Sequence, residues 1–183
     1  MTDEQTKDLL NRFRNPASRN MAFSELVNRF QERLYWHIRR IVIDHDDADD
    51  VLQNTFIKAF NNLDRFREDS QLFTWLYRIA TNEALTFLKK KRKNIFVSLN
   101  DVAHELSSTL ESDPELSGDA IQLKLQQAIL TLPTKQRLVF NMKYFEEMKY
   151  EEIAEITGTS VGALKASYHH AVKKIEAYMH QQF

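Results

Sequence analysis

The chain has 183 residues, of which 43% are hydrophobic and 28% charged, and this composition suits a globular protein with one domain or two small ones. It contains no Cys and only 3 Gly, the first at Gly118, which excludes disulfides, thiolate metal sites and, over most of the length, a glycine-rich phosphate-binding loop. No apolar run suits a signal peptide or a membrane span, so we expect a chain that is neither secreted nor membrane-spanning.

The first part of the chain predicts three helices after a polar tail. Residues 1–17 are polar and end in an Asn-Pro pair, so we expect them to be frayed. Apolar residues then recur at helical spacing over residues 23–41, which predicts one long amphipathic helix. An acidic cap near residue 46 begins the next helix, and a third runs over about residues 71–92 after a charged loop.

The acidic cluster at residues 44–50 does not fit a calcium-binding loop. Ala48 stands where the loop needs a ligand, Asp49 where it needs Gly, and Thr55 where the bidentate Glu belongs. Helix capping and contact with a basic protein partner are the remaining interpretations. The 6 His residues lack metalloprotease spacing and no Ser-His-Asp arrangement is indicated, so the sequence predicts neither a cofactor nor an enzyme.

The third predicted helix carries a row of residues that is typical of single-strand binding. At 100° per residue, Trp75, Arg78, Asn82 and Lys89 all lie within about 40° of Gln71. An aromatic ring can stack on a base while cations and amides contact the phosphates and base edges. The alternative is a solvated helix face with the tryptophan at the edge of the core.

The central segment, residues 94–119, separates two mildly basic parts of the chain. It contains six acidic residues and no Lys or Arg, and it mixes Ser, Asn and Asp with a Pro and a Gly. This composition is typical of a linker. We therefore predict an all-α protein of two small helical domains, residues 1–93 and 120–183, joined by an acidic flexible linker.

Residues 153–164 predict a helix-turn-helix in the second domain. Ala154 is small where the two helices cross, Gly158 tolerates a positive φ in the turn, and Ser160 caps the second helix. One face of that last helix, residues 161–180, is apolar. The opposite face carries small and hydrogen-bonding residues that suit a major groove: Gly162, Lys165, Ala166, His169, His170 and Lys173. A plain helical hairpin with solvated His residues is the alternative.

Taken in order, these segments resemble a bacterial RNA polymerase sigma factor of the extracytoplasmic-function group, over about residues 20–178. Residues 47–56 (DADDVLQNTF) are similar to the polymerase-binding helix of that family, and residues 73–82 (FTWLYRIATN) to its promoter-melting helix. Residues 150–156 (YEEIAEI) resemble the lead-in to its minus-thirty-five domain, and residues 160–165 (SVGALK) the start of its recognition helix. The chain departs from the common pattern at Asn54, where Glu is usual, and at Ser167 and His170, where Arg is common.

The resemblance implies roles for particular residues. Asp49, Asp50, Gln53 and Asn54 would bind core RNA polymerase. Residues on the charged loop and the third helix would contact the opened minus-ten strand: Arg65, Arg67, Gln71, Trp75, Arg78, Asn82 and Lys89. The major-groove residues of the last helix would face the duplex minus-thirty-five element. The resemblance also implies a cytoplasmic protein with no small-molecule substrate. Its implied partner is an anti-sigma factor, which in this family is usually membrane-linked.

Two other classes of protein stay open on the residues alone. A free-standing helix-turn-helix regulator would bind duplex DNA without polymerase, and it would need neither a single-strand row nor an acidic docking helix. A helical adaptor would have no DNA role. Adding core polymerase to a promoter library separates the three, because only a sigma factor produces new initiation.

Overall fold

The structure is a computed structural model that describes residues 2–67, 69–94 and 120–180. Over these residues the secondary structure is entirely helical, as predicted. In chain order the helices are α1 (Asp3–Arg14), α2 (Arg19–Val42), α3 (His45–Asn62), a 3₁₀ turn (Leu63–Arg65), α4 (Leu72–Asn94), α5 (Ala120–Leu130), α6 (Thr134–Tyr144), α7 (Tyr150–Thr157) and α8 (Val161–His180). The predicted linker, residues 94–119, lies outside the described residues except for Asn94. None of the described helices is long and apolar enough to cross a membrane.

Helix α1 corrects the prediction of a frayed N-terminal tail. Thr2 and Gln5 form a reciprocal capping box, in which each side chain accepts a hydrogen bond from the backbone of the other. Leu9, Leu10 and Phe13 are fully buried on one side of this helix. The Phe13 ring meets that of Phe60 at 5.5 Å in an edge-to-face geometry. The apolar face is short enough to be hidden by the polar majority of the segment, and this is why the prediction was wrong.

Helices α2, α3 and α4 pack against one another around one large core. The buried faces of α2 and α4 follow the predicted periodicity, with Leu26, Leu34, Ile38, Leu76 and Ala80 all fully buried. We call α1–α4 the first group of helices and α5–α8 the second group. Buried residues from the second group belong to the same core: Leu138, Val139, Met142, Met148, Ile153, Ile156 and Leu164. The two helical groups are therefore in contact and share apolar burial.

A second, smaller core lies within α5, α6 and α8. It contains Ala128, Ile129, Leu132, Phe140, Ala171 and Ile175. The Phe140 ring stacks on the ring of Tyr168 at 5.8 Å. Helix α8 thus keeps one apolar face against α5 and α6, and its opposite face remains available for another contact.

Helix α2 ends at an unusual residue that also joins the two groups of helices. Ile43 has φ of 72°, a conformation that β-branched residues rarely adopt, and its N–H donates to the Arg39 carbonyl at 2.8 Å. Its side chain is buried in a small cluster with Leu130 of α5. The burial of the side chain holds the backbone in this conformation.

Candidate nucleic-acid interface

Helix α3 presents an acidic and amide face to solvent. Asp44 caps the helix by accepting from the Asp47 N–H at 3.0 Å, as the acidic cluster predicts, although the cap is Asp44 rather than Asp46 or Asp47. The predicted polymerase-binding side chains, which are Asp49, Asp50, Gln53 and Asn54, are all exposed. Asp49 approaches His45 at 3.5 Å. Within the described residues no group of three or more His, Cys, Asp or Glu could hold a metal ion.

The loop before α4 and one side of α4 carry the residues predicted to contact a single strand. Arg65, Arg67, Gln71, Asn82 and Lys89 are exposed. Trp75 is half-buried, and its ring lies 5.3 Å from that of Phe66. The tryptophan is therefore both part of the predicted row and a packing residue at the edge of the large core. The backbone carbonyl of Gln71 accepts a hydrogen bond from the Trp75 N–H at 3.1 Å, which is the first hydrogen bond of α4. The row of residues therefore begins where the loop ends.

A polar cavity of about 1000 Å³ lies between this loop and the second group of helices. One side is formed by Asp69, Ser70 and Gln71 of the loop. The other side carries four carboxylates from the α6–α7 loop and α7: Glu146, Glu147, Glu152 and Glu155. The Glu152 carboxylate also caps α7 by accepting the Lys149 N–H at 2.7 Å. Lys7, Arg33 and Lys149 also line the cavity, so a space that could admit a base is faced by both carboxylates and cations.

Arg78 of α4 contacts the second group of helices directly. Its guanidinium donates two hydrogen bonds to the Glu155 carbonyl, the one from Nε at 2.9 Å. Glu155 lies in the last turn of α7, where helix carbonyls have no partner inside the helix. A cation at this end of a helix is also favoured by the helix dipole.

The helix-turn-helix forms as predicted. Gly158 ends α7 in the left-handed conformation at φ of 68°, and the Ser160 hydroxyl accepts the Ala163 N–H at 3.4 Å. The predicted DNA-facing residues of α8 are all exposed, namely Lys165, Ala166, His169, His170 and Lys173. On the opposite face Leu164, Ala171 and Ile175 are buried. The structure therefore brings the five predicted residues together on one open helical face.

A buried polar cluster between the two groups of helices was not predicted from the sequence. Glu146, with a side chain only 7% exposed, accepts from Arg40 Nη1 at 2.7 Å and from Tyr77 Oη at 3.0 Å. Burial lowers the pKa of Arg40, an effect that Glu146 opposes, and burial together with Glu146 raises the pKa of Tyr77. Arg40 and Tyr77 lie 106 and 69 positions before Glu146 in the sequence, so no local pattern relates them to it.

These features define a helical protein that has a helix-turn-helix, the element typical of DNA-binding proteins, and a helix with an exposed acidic face. Two family models match the chain: Sigma-70 region 2 over residues 26–94 and Sigma-70 region 4 over residues 122–175. The chain belongs to the sigma-70 family of RNA polymerase sigma factors, in its extracytoplasmic-function (ECF) group.

Curated relatives support this membership over most of the chain. The ECF sigma factor SigW of Bacillus subtilis is 34% identical and covers 81% of this chain and 83% of its own. The sigma-H factor of Pseudomonas aeruginosa is 33% identical, with 96% of this chain and 94% of its own covered. The ECF sigma-E factor of Escherichia coli is 32% identical, with 85% of each chain covered.

Two solved structures share the fold. CnrH, in complex with the cytosolic domain of CnrY, aligns with a TM-score of 0.69 and 23% identity over 98% of this chain and 97% of its own. The sigma factor RpoE of Bartonella quintana, in complex with the anti-sigma factor NepR, aligns with a TM-score of 0.69 and 22% identity over 88% of this chain and 98% of its own.

Proposed function

We propose that this sigma factor uses three separate surfaces to bind polymerase and promoter DNA. The exposed face of α3 docks on core RNA polymerase, the loop before α4 and the row on α4 read the opened minus-ten strand, and the exposed face of α8 reads the minus-thirty-five duplex. The observation that carries the proposal is the presence of all three surfaces in one chain. A regulator that binds duplex DNA alone needs only the third.

The polymerase-docking face consists of Asp49, Asp50, Gln53 and Asn54. Their carboxylates and amides are exposed on consecutive turns of a helix whose opposite side is held in the large core by Val51, Thr55 and Ala59. Such a rigid acidic patch suits a basic partner, because complementary charge steers association and sets its register. This face carries two carboxylates and no Lys or Arg that could pair with a DNA phosphate, which favours a protein partner.

The minus-ten surface combines phosphate, base-edge and stacking contacts. Arg65, Arg67, Arg78 and Lys89 supply cations, Gln71 and Asn82 supply amides, and the Trp75 ring supplies a stacking surface once a base leaves the duplex. The cavity beside Gln71 is the place we assign to a base flipped out of the opened strand.

The minus-thirty-five surface is the face of α8 that bears Lys165, Ala166, His169, His170 and Lys173. Gly162 and Ala166 allow the helix to approach the groove closely, and the two His residues can donate to or accept from base edges. We propose that the chain works in the cytoplasm with the polymerase, without catalysing a reaction or using a cofactor, and that an anti-sigma factor regulates it. The complex of the similar RpoE with NepR supports the last point.

The experiment that tests the proposal adds the purified chain, core RNA polymerase or both to a library of promoter DNA. Transcripts that begin at new positions only when both proteins are present support a sigma factor. Binding of duplex DNA by the chain alone, with no new initiation on adding polymerase, would instead indicate a free-standing helix-turn-helix regulator. Absence of both activities would indicate a helical adaptor.

A further inference from the structure

Two adjacent His residues lie on the exposed face of α8. The side chains of His169 and His170 are both exposed, and their rings lie 5.9 Å apart in a tilted arrangement. The opposite face of the helix is buried through Leu164, Ala171 and Ile175. This packing fixes the face of α8 from which the two imidazoles project.

The neighbours of the two imidazoles along α8 are cations. Residues four apart lie on the same side of a helix, so Lys165 and Lys173 are one turn on either side of His169. Lys173 is also three residues after His170. Glu176 is the one acidic residue of α8, and it lies seven residues beyond His169, about 10 Å along the helix axis.

The helices packed against α8 add further cations around this surface. The amines of Lys143 on α6 and Lys165 on α8 lie 5.2 and 5.8 Å from the centre of the Tyr150 ring of α7. The Lys174 amine of α8 donates to the Gln136 side chain of α6 at 3.1 Å. The remaining charged or titratable residues of α5 and α6 are Lys124, Lys135, Arg137 and Tyr144.

The carboxylates of α7 and of the loop before it border a different surface, with one exception. Four of them line the cavity beside the loop that precedes α4: Glu146, Glu147, Glu152 and Glu155. Glu151 is the exception, and it is exposed in the first turn of α7. The DNA-facing side of α8 therefore carries its two imidazoles among amines.

An imidazole differs from the amines beside it because its charge changes between about pH 8 and pH 5. The neutral ring has one donor and one acceptor nitrogen, whereas the protonated ring has two donors. A duplex offers acceptors to such donors, namely phosphate oxygens and the N7 and O6 atoms of guanine, and hydrogen bonds from a charged donor are the stronger kind. By linkage, a proton and a DNA duplex that favour the same state each raise the affinity for the other.

From this arrangement we propose that duplex binding by α8 is coupled to proton uptake by His169 and His170. In mild acid the face gains two cations, and both rings donate to acceptor atoms of the duplex, either phosphate oxygens or guanine N7 and O6. The affinity of the chain for duplex DNA therefore rises as the pH falls. This inference rests on the proposed function in that α8 is the helix assigned to the minus-thirty-five duplex, and it adds that this contact depends on pH.

The test uses the full chain and three matched variants. His169→Gln with His170→Gln keeps hydrogen-bonding groups and is neutral at every pH. His169→Arg with His170→Arg is cationic at every pH. His180→Gln removes an exposed imidazole from the last turn of α8, ten residues beyond His170. Far-UV circular dichroism at each pH first shows that each protein is folded.

Fluorescence anisotropy of a rhodamine-labelled duplex of random sequence gives the dissociation constant at about pH 8 and about pH 5.8, in about 0.1 M salt. We expect the affinity of the native chain and of His180→Gln to rise about fivefold or more at the lower pH. The Gln pair should change by less than about twofold, because neither position can take up a proton. The Arg pair should bind at about pH 8 at least as tightly as the native chain does at about pH 5.8.

Two further measurements identify the acceptor on the DNA. Contacts with phosphate raise the salt slope of the native chain by about one to two units at the lower pH. Contacts with guanine instead enrich guanine at one or two positions among the duplexes that the chain selects from a random pool at the lower pH. Either result supports the proposal.

Equal pH dependence in the native chain and the Gln pair would overturn the coupling. So would a rise in affinity with neither a steeper salt slope nor guanine enrichment, or absence of duplex binding by the native chain at the lower pH. If the Gln pair does not fold, the single variants His169→Gln and His170→Gln decide in the same measurement.

Initiation by the native chain with core polymerase is measured in parallel at about pH 8. Initiation without pH-dependent duplex binding rejects the coupling alone. Binding of duplex DNA that depends on pH, with no initiation, rejects the sigma-factor function and supports the coupling.

Discussion

His37 is a titratable side chain that the fold holds in its neutral form. It is fully buried on α2, where its Nε2 lies 2.9 Å from the Thr81 hydroxyl and its ring 4.8 Å from that of Tyr77. Burial, with a smaller contribution from the Arg40 charge, lowers the pKa of His37 from 6.5 to about 3. Its neighbours accommodate an uncharged ring and leave no room for hydration of a cation.

This burial predicts a loss of stability in mild acid. Below pH 6.5, His37 binds a proton in the unfolded chain but stays neutral in the folded chain. The contribution of His37 to the free energy of unfolding is therefore intact above pH 6.5 and falls as the pH decreases towards 3. The loss between pH 7 and pH 5 should be about 2 kcal/mol. Urea denaturation at both pH values should show that the free energy of unfolding depends less on pH in His37→Gln than in the native chain. Replacing the exposed His180 should leave this pH dependence as it is in the native chain. Equal pH dependence in all three proteins would contradict the prediction.

Substitutions at two Gly residues of the helix-turn-helix distinguish the effect of backbone conformation from the effect of steric clash. Neither position has an atom within 4 Å of where a Cβ would lie, but Gly158 has φ of 68° and Gly162 lies inside α8. Gly158→Ala should therefore lower the free energy of unfolding by about 1–2 kcal/mol. Gly162→Ala should raise it by about 0.5 kcal/mol, because Ala favours the helix. Thermal and urea denaturation of the two variants measure this difference, and the same sign for both would show that conformation in the turn is not the cause.

At the scale of single elements, α3 is buried on one side and exposed to solvent on the other. Reversal of charge at Asp49 and Asp50 leaves the buried side of the helix untouched. We expect Asp49→Lys with Asp50→Lys to abolish co-purification with core polymerase and to leave far-UV helicity unchanged, because the docking face then repels a basic partner.

The matched control for the α3 variant reverses Glu151 and Glu176, which are exposed on α7 and α8. This control has the same net charge as the α3 variant. It should still co-purify with polymerase. If the α3 variant co-purifies as well as the control, the docking face lies elsewhere.

Helix α8 should determine the choice of the upstream promoter element. Replacing His169 or His170 by Ala should change base preference at one or two positions, at a cost of about 1–3 kcal/mol for each contact that reads a base. If Lys165 contacts phosphate, Lys165→Ala should weaken binding to all sequences equally and reduce the salt slope by about one unit. If Lys165 reads guanine, the same substitution should relax the base preference at one promoter position. Initiation profiled on a randomised upstream element distinguishes these outcomes. An unchanged profile in the triple Ala variant would show that this face does not read the promoter.

On the scale of the whole molecule, the shared core predicts that the two groups of helices influence each other's stability. Both Trp residues, Trp36 and Trp75, lie in the first group, so their fluorescence reports on its unfolding. Ile156 of α7 belongs to the large core, whereas Ile175 of α8 belongs to the small one.

We expect Ile156→Ala to lower the denaturant midpoint of the Trp fluorescence transition, with a loss of about 2–5 kcal/mol, because it leaves a cavity in a core that both groups line. Ile175→Ala should shift that transition less, while still shifting the loss of total helicity measured by circular dichroism. A Trp transition that Ile156→Ala leaves in place would mean that the two groups unfold independently.

Local patterns were sufficient for most elements. The helical periodicity of α2 and α4, the Gly158 turn and the exposed face of α8 all follow from spacing of a few residues, which the structure confirms. The capping box of α1 and its apolar face of Leu9, Leu10 and Phe13 are also visible in the sequence. They were missed because residues 1–17 are mostly polar. The bounds 1–93, 94–119 and 120–183 for the domains and linker stay a prediction.

The sequence by itself determined the helical fold, the helix-turn-helix and the exposed faces that we propose for polymerase and DNA, because each of these depends on neighbours within two or three turns. Only the tertiary structure decided which residues of those faces are already engaged. Arg78 meets the Glu155 carbonyl 77 positions away, and Glu146 meets Arg40 across 106 positions. Contacts at such separations arise from the packing of α7 against α4, and no periodicity in the chain encodes which partners that packing brings together.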